Sequence, residues 1–394
     1  MATAESVYGS DSWRNSSDSE RGAETGVTEE NQSVDRVLFV YGPTNVGKIE
    51  RHVKPLADAV ESTTLVCTST GPEVDGLRQI APPATGYRLF DLLLMTVLTA
   101  VESVRGEYDA VVTVSLFPHG CLGLLAAKYN RVPAHLGIIG CDIDVHARAW
   151  YGRPVRWLMR RFDAVSVPGP THRRRLHRSV GIPWHRTAIL ANPVDVDQFP
   201  DPKPDLERRY DVVWVGRMTA EKQPLFFVDV VAAVAEAAPS LRAVMIGDGA
   251  LSTAVEERIA ERGLEGTLET PGWIEDPIPW YADASVFVLT SERDALPLTL
   301  IEAMASGTVP VAPAVGNVGD LLVDGWNGRV VDPPTVDGVA TAVEDLLADP
   351  DRSARLGTNA RGVRDRFSYD TASEDWRHVI RVLARSAQRE SGER

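Results

Sequence analysis

The sequence predicts an α/β protein of two like halves, each a parallel β-sheet with helices on both faces. Two observations carry this reading. Short runs rich in Val, Ile and Leu recur along the chain, each closing on Gly, Pro, Ser or Asn, and they are apolar throughout rather than alternating. A strand apolar at every position is buried on both faces, which is the condition of a parallel sheet. Amphipathic stretches separate the runs, giving the strand, helix, strand order that parallel pairing requires.

In chain order, residues 1–33 are polar and acidic without an apolar core, and read as a disordered tail rather than a signal peptide. From Val34 one series follows: "VLFVYG", "TLVCTS", "YDAVVTVS", "AHLGIIG", "AVSVPG" and "AILANP". "NPVDVDQFPDPKPDLERR", dense in Pro and Asp, marks a linker, and the first domain is read as 34–198. A second series begins at Tyr210 with "YDVVWVG", then "RAVMIGDG", "LETPGW", "ASVFVLTS", "VPVAPAVG" and "GRVVDP", giving a second domain over 199–367. Each is Rossmann-like. Thr371 and Glu374 form a capping box for an amphipathic helix within 368–394, expected to pack back toward the first domain. Ligands of open parallel sheets bind beyond the carboxyl ends of the strands, so two facing domains place a site in the cleft between them.

Composition narrows the function. Fifty-five acidic residues against 41 basic ones leave a net charge of −14, which disfavours nonspecific nucleic-acid binding. Cys67, Cys121 and Cys141 are odd in number and scattered, so neither a disulfide framework nor a thiolate zinc site is indicated, and a cytoplasmic setting fits. The longest apolar run, from Leu89, carries Asp91 and is too short to span a bilayer.

"YGPTNVGKIE", from Tyr41, has the G-x-x-x-x-G-K spacing of a phosphate-gripping loop at Gly42 and Gly47-Lys48. Ile49 stands where that motif needs a hydroxyl for Mg²⁺, and the strand "AVVTVS" ends at Ser115 rather than at a metal-binding Asp. Two D-x-D triplets, Asp142 to Asp144 and Asp195 to Asp197, lack a third partner for a metal. Arg153, Arg156 and Arg160 fall at helical spacing beside Trp157, a pattern shared by a helix contacting anionic membrane and by a solvated basic face.

The stretch Leu289 to Pro333, "LTSERDALPLTLIEAMASGTVPVAPAVGNVGDLLVDGWNGRVVDP", resembles the donor-site signature of retaining glycosyltransferases of family 4. Supporting motifs follow in family order: "NPVDVDQF", "VGRMTAEKQ", "VMIGDG" and "PGW" before "WYADASVFVLTS". The resemblance covers almost the whole chain from Val34. It implies the two-domain GT-B fold, a nucleotide-sugar donor held mainly by the second domain, a glycan or lipid-linked acceptor held by the first, retention of anomeric configuration, and no metal or other cofactor.

Its site residues carry over position by position. Arg217 and Lys222 are the cations for the departing diphosphate, one able to bind bidentately and the other a mobile point charge. Glu302, in "PLTLIEAMASG" between Pro297 and Gly307, is implied to accept from the donor ribose, with the helix-start amides of Leu298 and Thr299 facing phosphate. Asp294 stands eight residues before it, where the E-x7-E pattern has its first Glu; Glu292 is out of register. Gly216 and Gly247 close strands beside the donor, and Gly42 to Gly47 becomes the glycine loop under the diphosphate. On the acceptor side "IIGCDIDVH" resembles the family's H-G-s-D loop, keeping Gly140 and Asp142 but placing Ile139 where His is usual. His119 in "FPHG" and His146 are the candidate replacements. Two rival readings remain: a nucleotide-sugar-binding protein without activity, which accounts for Ile139 and Asp294 together, and a P-loop NTPase, which Ile49 weakens.

Overall fold

The computed structural model describes residues 3, 7, 8, 13, 33–42, 47–83, 85–139, 142–200 and 207–392. The chain divides into two compact units: Trp13–Pro193 with Tyr369–Arg394, and Met1–Ser12 with Val194–Ser368.

The N-terminal unit is built on strands β1 (Arg36–Val40), β2 (Ser62–Val66), β3 (Leu77–Ile80), β4 (Ala110–Val114), β5 (Ala134–Gly137), β6 (Ala164–Val167) and β7 (Thr187–Ile189). They form one sheet in the order β3-β2-β1-β4-β5-β6-β7, with every pairing parallel. The period of two along β1 divides its side chains between two cores. Val37 and Phe39 pack with Ile49, Val53 and Leu56 of helix α1 (Gly47–Ala57) and with Trp376 and Val379 of the C-terminal helix, Tyr369–Gly392. Leu38 and Val40 share the opposite core with Met95 of α2 (Arg88–Arg105), Leu124 of α3 (Cys121–Asn130), and Val155 and Met159 of α4 (Gly152–Met159).

The second unit repeats the plan. Strands β8 (Tyr210–Val215), β9 (Ala243–Ile246), β10 (Leu268–Gly272), β11 (Ala284–Val288), β12 (Val309–Ala312) and β13 (Arg329–Val330) order as β10-β9-β8-β11-β12-β13, all parallel. Trp214 and Val286 pack with Phe227 and Val231 of α5 (Pro224–Ala237), Val255 of α6 (Ser252–Arg262) and Val343 of α8 (Val336–Leu347). Between them in sequence, α7 (Leu298–Ala305) runs from Pro297 to the left-handed Gly307, as the proline and glycine suggest. In both sheets the strand order reverses once, between β1 and β4 and between β8 and β11, and a reversal opens a crevice at the carboxyl edge.

Local departures from the sequence reading have physical causes. Within the segment read as a tail, Val7, Tyr8 and Trp13 are buried. Asn327 Nδ2 donates to the Tyr8 hydroxyl (2.6 Å), whose ring lies 5.9 Å from that of Trp326; average polarity hid these anchoring side chains. The second unit begins at Val194, before the expected boundary, because the Val194 amide donates to the Phe367 carbonyl (2.8 Å). The last helix starts at Tyr369, so Thr371 lies in its first turn rather than at its cap.

Candidate active site

In the second unit the predicted residues gather at the carboxyl ends of β8 and β11. Arg217 follows β8 and is 72% exposed, its Nη2 donating to Glu221 (2.8 Å). Lys222 closes a short 3-10 turn, Ala220–Lys222, and its carbonyl accepts from the Thr290 hydroxyl (2.6 Å), which accepts from Trp214 Nε1 (2.9 Å). This chain of bonds fixes the Lys222 turn to the end of β11. The Lys222 ammonium is ion-paired with the Asp294 carboxylate, and both side chains are largely buried. The structure thus joins Lys222 and Asp294 directly and sets Arg217 apart from them, with Glu221.

Backbone geometry around this pair leaves no room for side chains. Gly247 has φ +140°, and a Cβ there would lie 1.8 Å from the Gly216 carbonyl oxygen. Gly316, at φ +56°, would bring a Cβ within 1.8 Å of the Asp294 carbonyl oxygen. Asn317, fully buried, donates from its backbone amide (2.9 Å) and from Nδ2 (2.7 Å) to the Ala295 carbonyl, holding the Asp294 loop. Beyond the loop, Leu298 and Thr299 open α7 with no side chain capping the helix start. First-turn amides point along the axis, and the helix dipole favours an anion there. One turn further, the Tyr281 hydroxyl donates to Glu302 (3.3 Å); burial drives that phenol well above its ordinary range.

The N-terminal unit presents its own group at the carboxyl ends of β1, β4 and β5. Gly42 follows β1, and a Cβ there would lie 2.6 Å from His119 Nε2, so the small residue admits the imidazole. Burial lowers the His119 pKa, which favours the uncharged ring. Residues 43–46 of the expected glycine loop, and Gly140, lie outside the described residues; Gly47 begins α1. Ile49 is fully buried in the α1 core, so the residue that breaks the phosphate-loop motif serves packing. Asp142 Oδ1 accepts from the Leu116 amide (3.2 Å), and burial raises its carboxyl pKa. His146 Nδ1 meets the Tyr151 hydroxyl at 2.8 Å. Ile139 is exposed at the end of β5.

Neither D-x-D triplet presents two unengaged carboxylates. Asp144 is bonded to His172 (2.9 Å) and Arg175 (2.6 Å), contacts that hold its pKa down, the His172 bond most. Asp195 accepts from the Asp197 amide (3.3 Å) and Gln198 Nε2 (2.9 Å). Among the described residues no three His, Cys, Asp or Glu converge to hold a metal ion. Of the basic trio, Arg156 and Arg160 bond the carbonyls of Ala147 and Val180, while Arg153 is exposed with no partner among the described residues.

Tyr281, Thr290, Asn317 and Tyr151 were not singled out from sequence. Only Asn317 carried a signal, an Asn between glycines in "VGNVG", where a turn residue able to bond the backbone is expected.

Two adjoining family models match this chain: Glycosyltransferase Family 4 over residues 49–198 and Glycosyl transferases group 1 over residues 196–363. Together they take in most of the sequence, with every strand but β1, and the chain belongs to this family of glycosyltransferases. It is 30% identical over 245 residues to the alpha-D-kanosaminyltransferase of Streptomyces kanamyceticus, covering 58% of this chain and 62% of that one. It is 28% identical over 289 residues to the GDP-mannose-dependent alpha-(1-6)-phosphatidylinositol monomannoside mannosyltransferase of Mycolicibacterium smegmatis, covering 68% and 75%. Anabaena HepE in complex with UDP and glucose has a similar structure (TM-score 0.71, 17% identity, 86% of this chain and 97% of that one). So does sucrose-phosphate synthase from Thermosynechococcus elongatus (TM-score 0.71, 19% identity, 86% and 96%). These likenesses establish the GT-B fold of two Rossmann-like domains.

Proposed function

We propose that the protein moves a sugar from a nucleotide-sugar donor to a glycan or lipid-linked acceptor, retaining the anomeric configuration and using fixed cations rather than a divalent ion. The observation that carries this reading is the Lys222–Asp294 pair beside the uncapped start of α7, at the point where strand order reverses. A diphosphate there meets the Lys222 ammonium and the first-turn amides, and the exposed Arg217 leaves Glu221 to close on its outer oxygens. Glu302 accepts from the ribose hydroxyls. Asp294, its charge balanced by Lys222, accepts from a hydroxyl of the transferred sugar and orients it. As the C1–O bond to phosphate breaks, the acceptor oxygen attacks from the same face, and its proton passes to the departing phosphate oxygen. His119, Asp142 and His146 hold the acceptor, the His119 imidazole as a hydrogen-bonding group, since burial disfavours its charged form. The Mycolicibacterium smegmatis relative, named for a GDP-mannose donor and a phosphatidylinositol mannoside, supports both substrate classes. We place the protein in the cytoplasm, with Arg153, Arg156 and Arg160 on the side of a peripheral membrane contact; no described helix is long and apolar enough to cross a membrane.

A screen of nucleotide sugars for binding, with and without EDTA, followed by assignment of the product anomer, tests this. Transfer that persists in EDTA with retained configuration is expected, and Arg217→Ala or Lys222→Ala lowers it about 100-fold or more while Lys48→Ala leaves it nearly unchanged. Strict dependence on Mg²⁺, or an inverted product, overturns the reading. Donor binding without transfer to any acceptor would favour the inactive-binder reading that Ile139 and Asp294 together suggest.

A further inference from the structure

Helix α2 carries an apolar stripe on its exposed side. At about 100° per residue, Leu89, Phe90, Leu93, Val97 and Val104 fall within one stripe about 100° wide. All are exposed, Leu89 to 85%. The opposite side, turned to the sheet, holds Met95 with Thr99 and Ser103, whose hydroxyls donate to the carbonyls one turn back (2.8 and 2.7 Å). The helix therefore buries hydroxyls against its own backbone and bares Leu89 and Leu93, while Leu92, Leu94 and Leu98 are half-buried. The exposure is not a general trait of this surface: of the thirteen large apolar side chains exposed among the described residues, twelve lie between Tyr87 and Trp157, and Trp273 alone is in the other unit.

Helices α2, α3 and α4 contribute to one core cluster on the same face of the sheet, so their outer sides form one surface. Leu125 and Tyr129 of α3 and Trp157 of α4 continue the apolar exposure, and Trp150, just before α4, is 95% exposed. Cations are interleaved with these rings. Arg161 lies 4.4 Å from the centre of the Trp157 ring, and Arg148 and Arg153 are exposed with no partner among the described residues. From Arg148 to Arg178 the chain carries nine arginines and one acid, Asp163, within a molecule of net charge −14. The acids of α2 lie away from the stripe: Asp91 accepts from Thr85 (3.0 and 2.6 Å), and Glu102 is paired with Arg78.

From this pattern we infer that the outer face of α2, α3 and α4 docks on a lipid bilayer with anionic headgroups, the α2 stripe entering the acyl boundary and the arginines meeting lipid phosphates. Apolar side chains supply insertion, Trp and Tyr suit the interface, and basic residues supply attraction to negative lipid. A second copy of the chain fits less well, because pairing this face with itself sets arginine against arginine. The docking does not depend on the transferase reading; it assigns a membrane role to α2, in addition to the basic helix already considered.

Co-sedimentation of the full chain with vesicles tests it, comparing phosphatidylcholine alone with equal parts phosphatidylcholine and phosphatidylglycerol. The protein is expected to bind the mixed vesicles preferentially. Leu89→Gln/Leu93→Gln/Val97→Gln lowers the partition coefficient about tenfold or more at every salt concentration, since insertion is lost. Arg148→Gln/Arg153→Gln removes only the part of binding that salt screens. Should the triple variant not fold, the single Leu89→Gln change, at a nearly bare position, lowers partition about threefold. Failure of the unaltered protein to bind mixed vesicles, or equal binding by a folded triple variant, overturns the proposal. So does size-exclusion chromatography that finds the unaltered protein dimeric and the triple variant monomeric, since the stripe is then a protein interface. The readout is binding, so loss of transferase activity in any assay leaves it intact.

Discussion

Lys222 is shared between a carboxylate on its own chain and the phosphate it is proposed to receive, and the two demands can be separated. Removing the ammonium in Lys222→Ala deletes a fixed donor to developing charge, a change that lowers kcat/KM by about 10²- to 10³-fold. Asp294→Asn keeps the shape but withdraws the competing anion from Lys222. Calorimetry is therefore expected to show nucleoside diphosphate bound a few-fold more tightly by Asp294→Asn, while turnover falls because the sugar has lost an acceptor. Parallel losses of binding and turnover would show that Asp294 only props the lysine. A different residue controls behaviour in acid. His135 is wholly buried on β5, its Nε2 2.9 Å from the Ser166 hydroxyl, and burial takes its pKa from 6.5 down to about 3. The unfolded chain binds this proton below pH 6.5 and the native chain does not, so the stability His135 contributes is present above pH 6.5 and is lost as pH falls toward 3. The limiting slope is about 1.4 kcal/mol per pH unit. Urea titrations between pH 7 and 4.5 should show His135→Gln missing about that much of the slope.

Strands and turns show how much of the structure was legible beforehand. Six strands of each sheet could be read, the central ones because double burial forces continuous Val, Ile and Leu, as in "YDAVVTVS", which contains β4, and "YDVVWVG", which contains β8, and the partly exposed edge strands β10 and β13 from their place in the series. The strand missed was β3: "LRQI" sits at the sheet edge, partly exposed, and needs no apolar run. Arg217, Asp294 and Glu302 are candidates through the family resemblance, and the strand ends and helix start that carry them were themselves legible. Their pairings were not. That Lys222 would choose Asp294 while Arg217 chose Glu221 depends on side-chain reach across 72 residues in one case and four in the other. The supporting bonds of Tyr281, Thr290 and Asn317 also come from chain segments with no local pattern to announce them. At this scale the glycine turns are the sharpest test. Gly247→Ala places a methyl on the Gly216 carbonyl and demands a left-handed residue, a change expected to cost about 3 kcal/mol or more. Gly266→Ala, with no heavy atom within 4 Å of the new carbon, should be nearly neutral. Thermal melts of the two variants measure the contrast; equal melting temperatures would show that the Gly216–Gly247 approach relaxes at little cost.

The chain as a whole is not two consecutive domains: it completes the first unit with its last helix, after building the second. What makes that return favourable is concentrated in one residue. Trp376 is almost fully buried, its ring 6.3 Å from Phe39 and 5.3 Å from His135, and it shares a core with α1 and the odd positions of β1. Asp375 adds a polar latch, accepting from the Ala191 amide at 3.1 Å just past β7. Trp376→Ala removes a large aromatic side chain from a filled core, and the transfer and cavity losses together amount to about 3–5 kcal/mol, a large share of the stability of one unit. Because the second unit has its own core around Trp214 and Phe227, that loss should be confined to the first. Hydrogen exchange followed by mass spectrometry is then expected to find β1, β4 and α1 exchanging about 10²-fold faster or more in Trp376→Ala, with β8, β9 and β11 unchanged. Equal acceleration in both sheets would mean that the two units unfold as one cooperative body, and that the terminal helix stabilises the whole molecule rather than the unit it completes.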